Sequence, residues 1–195
     1  MNSVRNIYLC GVGGQGIALL NEVLLRACAR AGHQVRGVET HGLAQRGGTV
    51  RAHLRLGEAI HTPRIPDGEA DLVVALERLE AIRGTIDMLK PGGTLLYYDT
   101  IQQPTLVRAG ATSYPATEAL LQRCQALGAR VERLQLDEVP EKQQNVALLA
   151  RLGALGLIDR VDGATIRAAL EEVLPPHALE KNLAIVERIE ELPTD

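Results

Sequence analysis

The six residues Gly11-Val12-Gly13-Gly14-Gln15-Gly16 constrain the fold of this chain more than any other stretch. Ahead of them runs Asn6-Ile7-Tyr8-Leu9-Cys10, short, apolar and closed by glycine, which reads as a buried first strand. Behind them Ile17, Leu20, Leu24, Ala27 and Ala31 recur at spacings of three and four, which predicts a helix over 17–31. Gly11, Gly13 and Gly16 thus form a GxGxxG turn between a strand and a helix. Glycine permits a tight turn with positive φ, and the N–H groups at the helix start then face an anion. Pyrophosphate is the common occupant of such a loop. A tight strand-to-helix turn with no ligand fits the same pattern. Gln15 either donates its amide to a phosphate or carboxylate, or caps the turn.

Gly32 stops the helix, and residues 33–39 are expected to return as a parallel strand through a right-handed crossover. Glu39 ends that strand, near where a ribose-binding acid stands in a dinucleotide site. Val50, Ala52, Leu54 and Leu56 then alternate with Arg51, His53 and Arg55, a half-buried strand with a basic outer face. Gly57-Glu58 predicts a two-residue hairpin into 59–62, so the sheet should be mixed rather than purely parallel. A turn-rich loop follows, then a central strand over 71–76, a helix over 77–89 halted at Lys90-Pro91-Gly92-Gly93, and a strand over 94–99. Residues 102–115 are too broken to assign. A helix over 116–127 and a last strand over 129–137 complete the α/β part. Three helices are expected beyond it, over 143–155, 164–173 and 178–191, with Pro175 and Pro176 placed for a helix start. The expectation is an α/β fold: a three-layer Rossmann-like mixed sheet with an antiparallel hairpin and a helical C-terminal segment. It should form one domain over 1–195, with the α/β part at about 1–137 and the helical tail at about 138–195.

The stretch between the second and third strands is a second candidate for chemistry. His41, Gln45, Arg46, Gly47 and Gly48 leave the same sheet edge as the glycine loop, and in open α/β sheets ligands bind outside the carboxyl ends of the strands. Arg46 can fork onto phosphate or carboxylate oxygens, and Gly47-Gly48 allow close backbone approach. A solvated loop is the alternative.

Composition narrows the partners. A net charge of −3 and a pI near 6.0 imply no bulk attraction to nucleic acid or anionic membrane. With four Tyr and no Phe or Trp, base-stacking platforms are not expected. Cys10, Cys28 and Cys124 are far apart and form no CxxC, so this chain alone supplies no four-thiolate zinc or iron–sulfur site. No signal-peptide pattern or membrane-length apolar run is present, which makes the cytoplasm the expected compartment. His33, His53, His61 and His177 read as loop or surface histidines, Glu77-Arg78-Leu79-Glu80 as charge on a helix surface, and Asp67, Glu69 and Asp71 as part of a turn.

Taken in order, GVGGQG, HGLAQRGG and IPDGEAD resemble the gamma subunits and domains of the 2-oxoacid:ferredoxin oxidoreductases, most of all the indolepyruvate branch. The resemblance covers roughly the first half of the chain. It implies a subunit of a complex that decarboxylates a 2-oxoacid such as indolepyruvate, pyruvate or 2-oxoglutarate, transfers the acyl group to coenzyme A and reduces ferredoxin. Thiamine diphosphate and iron–sulfur clusters are then carried by partner chains, coenzyme A is a cosubstrate, and this chain contributes assembly. The cofactor-facing candidates are Gly11, Gly13, Gly14, Gln15, Gly16, His41, Gln45, Arg46, Gly47 and Gly48, with no catalytic residue and no metal ligand. Two other readings stay open on the residues alone: a free-standing NAD(P)- or FAD-binding oxidoreductase, and a nucleotide-sensing module. Association of the isolated chain as a homodimer is also open.

Overall fold

The computed structural model of the protein describes residues 4–41 and 48–194, with the backbone alone of His41, Thr105 and Leu106. Six strands form one sheet: β1 (Arg5–Val12), β2 (Val35–His41), β3 (Thr49–Leu56), β4 (Ala70–Ala75), β5 (Leu89–Tyr98) and β6 (Arg130–Leu134). Their order across the sheet is β2-β3-β1-β4-β5-β6. The strands β1, β4, β5 and β6 run parallel, whereas β3 is antiparallel to both of its neighbours.

The mixed sheet expected from sequence is therefore present, but its antiparallel element is a different one. Residues 59–62 form no strand, and β3 pairs with β1 and β2 instead of a hairpin partner beyond Gly57. Two prolines and an arginine account for this. Arg55 reaches Asn6 Oδ1 at 2.9 Å and the carbonyls of Thr62 and Arg64 at 3.1 and 3.4 Å, while Pro63 and Pro66 lack ladder donors. The segment folds across the sheet and buries Ile60 and Ile65. The expected return strand, β2, does run parallel to β1, yet β3 lies between them.

Period-two burial divides the central strands between two faces. Ile7, Leu9, Ala52, Leu54, Leu72, Val74 and Leu96 face α1 (Ile17–Arg30) and the C-terminal helices α5 (Gln144–Ala154), α6 (Gly163–Val173) and α7 (Pro176–Glu190). Tyr8, Cys10, Val73, Ala75, Leu95 and Tyr97 face α2 (Arg78–Asp87) and α4 (Thr117–Ala126). Between them, Thr105–Arg108 forms the single turn α3. The helices beyond β6 are not an appendage: α5 touches β5, α6 lies along α1, and both share one apolar cluster with the sheet. Aromatic scarcity shapes that cluster, which rests on Leu, Ile, Val and Ala packed at close range.

Candidate functional site

The glycine loop occupies the turn from β1 into α1, and each of its parts has a visible reason. Gly16 stands at the helix N-cap with φ +81°, the left-handed region, and has no side chain with which to cap the helix. Its carbonyl accepts from Leu20 N–H at 3.0 Å and from Asn145 Nδ2 at 3.2 Å. Asn145 is 1% exposed, and a Cβ on Gly16 would sit 2.4 Å from its Nδ2. The first-turn amides of α1 have no intrahelical acceptor, as at any helix start, and they bear partial positive charge.

Gln15 has the turn-bridging role. It is 3% exposed, its Oε1 accepts from Val12 N–H at 2.8 Å, and its Nε2 donates to Leu76 O at 2.7 Å. The amide thus ties the β1 loop to the end of β4, across the crevice where the chain switches from one face of the sheet to the other. On the opposite flank, Gly13 N–H donates to Gly48 O at 2.8 Å. Strand register brings His41, Val50 and Gly11 side by side across β2, β3 and β1. The His41-to-Gly48 segment is therefore anchored at both ends next to the glycine loop. Gln45, Arg46 and Gly47 fall outside the described residues.

Two features separate this arrangement from a dinucleotide crevice. The strand β3 intervenes between β1 and β2, placing Glu39 two strand spacings, about 10 Å, from the glycine strand. Glu39 is also engaged by Asn21 Nδ2 at 2.5 Å. The crevice itself is crossed by the Gln15 side chain.

A charged cluster that sequence reading set aside as helix surface lies beside the loop. Glu77 is 1% exposed and Glu80 3%. Glu77 follows the buried strand β4, so it enters the interior with it and caps α2, accepting Glu80 N–H at 3.0 Å. It also accepts from Gln102 N–H at 3.2 Å and from the Tyr114 hydroxyl. Burial raises its carboxyl above the ordinary 4.5, against the pull of those donors. Asp99, at the end of β5, holds Arg78 at 2.7 Å and Arg133 at 2.6 Å. Glu80 pairs with Arg83 at 2.5 Å and accepts from the Thr49 hydroxyl at 3.1 Å. The available signal was position: an acid immediately after an apolar central strand, three residues ahead of a second one, is a helix cap rather than a surface pair.

The raised Glu77 carboxyl has a definite sign. The native state holds this proton more tightly than the unfolded state, so the group's contribution to stability is greatest below about pH 4.5 and declines as pH rises through its folded value. For Glu77→Gln the decline should vanish. Denaturation midpoints measured from acid to neutral pH should show the wild type losing ground against the variant as pH rises. Parallel curves would remove Glu77 as their source.

Elsewhere the sites are dispersed. His53 is 9% exposed, not a surface histidine: it packs edge-on against Tyr8 at 5.0 Å. The strand face that carries it is covered in part by the segment holding Ile65. Cys10 and Cys124 lie on the α2 side of the sheet and Cys28 on the other, all buried, with thiols pushed up by burial, that of Cys28 to about 12. Three thiols divided by a sheet do not fit an iron–sulfur cluster. Among the described residues no three His, Cys, Asp or Glu side chains gather to hold a metal, and no helix is long and apolar enough to cross a membrane.

The family model described as pyruvate ferredoxin/flavodoxin oxidoreductase matches residues 6–191. The indolepyruvate oxidoreductase subunit IorB of Methanothermobacter thermautotrophicus is 33% identical over 182 residues, 91% of this chain and 92% of the relative. Its counterpart in Archaeoglobus fulgidus is 39% identical over 142 residues, 72% of this chain and 69% of the relative. Among solved structures, the pyruvate oxidoreductase subunit PORC of Thermotoga maritima superposes with a TM-score of 0.63 at 19% identity, covering 96% of both chains. The 2-oxoglutarate:ferredoxin oxidoreductase of Magnetococcus marinus, solved with 2-oxoglutarate, coenzyme A and succinyl-CoA, gives 0.70 at 17% identity. That match spans 100% of this chain but 32% of the other, so the same fold is there one part of a longer polypeptide.

Proposed function

The chain belongs to the pyruvate ferredoxin/flavodoxin oxidoreductase family, and from that premise we propose that it is the gamma-type subunit of a multi-subunit 2-oxoacid:ferredoxin oxidoreductase. The observation that carries the proposal is the end-to-end kinship with an indolepyruvate oxidoreductase subunit, over nine-tenths of both chains. Indolepyruvate is accordingly the 2-oxoacid we assign to the complex. Thiamine diphosphate supplies the carbanion chemistry of decarboxylation, and we place it, with the iron–sulfur clusters, in partner chains. The dispersed, buried cysteines of this chain support that division.

This chain's own part is assembly and the presentation of an anion-receptive rim. We assign to that rim the amides around Gly14 and Gly16, flanked by the segment carrying His41, Gln45, Arg46, Gly47 and Gly48, with coenzyme A phosphate as the anion. The Gln15 bridge and the Asn145 contact give the rim a fixed shape rather than contacts of their own. The glycine pattern alone favours a dinucleotide, and the fold speaks against one: β3 separates Glu39 from the glycine strand and Gln15 bridges the crevice.

Co-expression with thiamine- and cluster-bearing chains tests the assignment. The chain should co-purify with them, and leaving it out should abolish ferredoxin reduction driven by a 2-oxoacid and coenzyme A. Assembly and turnover of the remaining chains without it would refute the proposal.

A further inference from the structure

The α2-facing side of the sheet holds a second place with the makings of a binding site, and it does not depend on the subunit reading. Helix α2 packs over β1, β4 and β5, leaving Val38, Thr40 and Arg51 of β2 and β3 exposed. Between that open face, the 63–67 segment and the end of α2 lies a cavity of about 500 Å³. Two buried polar side chains form its floor. Tyr8 is 3% exposed, and no described residue bonds its hydroxyl. His53, at 9%, accepts Ile65 N–H on Nδ1 at 3.3 Å, so its ring proton sits on Nε2, for which no described residue is an acceptor. Burial and the neighbouring Arg64 and Arg51 hold the imidazole below its usual 6.5, which keeps it neutral and donating at pH 7.

The walls carry charge of both signs. Arg51 and Arg64 line the cavity, and among the described residues neither guanidinium forms an ion pair. Asp67 and Asp87 line it as well, likewise without a cationic partner among the described residues. A hydrogen bond from Gly68 N–H to Asp87 O, 3.0 Å, brings these two aspartates to one end, whereas Arg51 lies further along β3, opposite Cys10. Val38, Pro63 and Met88 supply apolar surface between them. A simple anion would leave the aspartates unmatched, and a simple cation the arginines. A molecule bearing both charges matches each.

We propose that this cavity binds a small zwitterion with an apolar body, of the apolar α-amino-acid class, its carboxylate toward Arg51 and His53 and its ammonium toward Asp67 and Asp87.

Calorimetric titration of the full chain tests this, with leucine and phenylalanine as probes. Beside them stand 4-methylpentanoate and 3-methylbutylamine, which keep the leucine skeleton and lack one charge each. At least one amino acid should bind saturably, with Arg51→Gln weakening it about 10- to 100-fold. For leucine, each one-charge analogue should be weaker by a similar factor, and in Asp67→Asn/Asp87→Asn the preference for leucine over 4-methylpentanoate should disappear. Arg51, Asp67 and Asp87 are exposed, so these variants fold as the parent does. No saturable binding by either amino acid, equal binding of 4-methylpentanoate and leucine to the parent chain, or affinity unchanged in Arg51→Gln overturns the proposal.

Discussion

Gly16→Ala is expected to lower the unfolding free energy by about 2–4 kcal/mol. Two effects add. A left-handed backbone costs a residue with a Cβ about 1–2 kcal/mol, and Gly16 sits at φ +81°. The new methyl would also stand 2.4 Å from Asn145 Nδ2, forcing a fully buried amide off its bond to the Gly16 carbonyl. The space around Gly14 is the useful contrast. It too has positive φ, +108°, but a Cβ there meets nothing within 4 Å, so Gly14→Ala should lose only the conformational part. Denaturant midpoints with unchanged slopes would give both numbers. In a chain of this length each kcal/mol corresponds to about 2–4 °C in Tm. Equal losses at the two glycines would show that Asn145 yields freely, and that the loop is not braced from the far helix.

The second large effect is expected at Gln15. Gln15→Leu keeps the apolar stem but strands Val12 N–H and Leu76 C=O, two groups that exchange water for this one amide on folding. At about 1–3 kcal/mol for each of the two unmet polar groups, the loss should reach about 2–6 kcal/mol. Gln15→Glu separates bonding from bulk. A carboxylate can still accept from Val12 but has nothing to donate to Leu76, so it should be destabilised nearly as far as the leucine variant. If Gln15→Glu is as stable as the parent, the amide does not bridge β1 and β4, and the crevice between them is open to ligand.

These two residues also show where sequence reading reached its limit. Strand, glycine turn and helix at the N-terminus were legible because local spacing settles them, as were the three C-terminal helices, within two residues of the expected ends. Which strands become neighbours is not a local property. The β3 alternation correctly announced a half-buried strand, but the choice of β1 and β2 as partners depends on a whole sheet closing around it. The same holds for charge. Glu77 and Glu80 look solvated when only their own helix is considered, yet β4 drags them inward, where Tyr114 meets Glu77 and Thr49 of β3 meets Glu80. In the glycine loop the pattern named the turn, while the job of Gln15 depended on Leu76, 61 positions away.

The bond between Asn145 and Gly16 links residues 129 positions apart. During synthesis the glycine turn leaves the ribosome long before the helix that steadies it exists. Until α5 and α6 emerge, α1 and its sheet face present bare leucine and valine to water, a surface of the kind chaperones recognise. A nascent chain stopped short of α5 would carry the whole N-terminal signature and still lack the support that sets its shape, so the segment most easily recognised in the sequence is among the last to reach its final form.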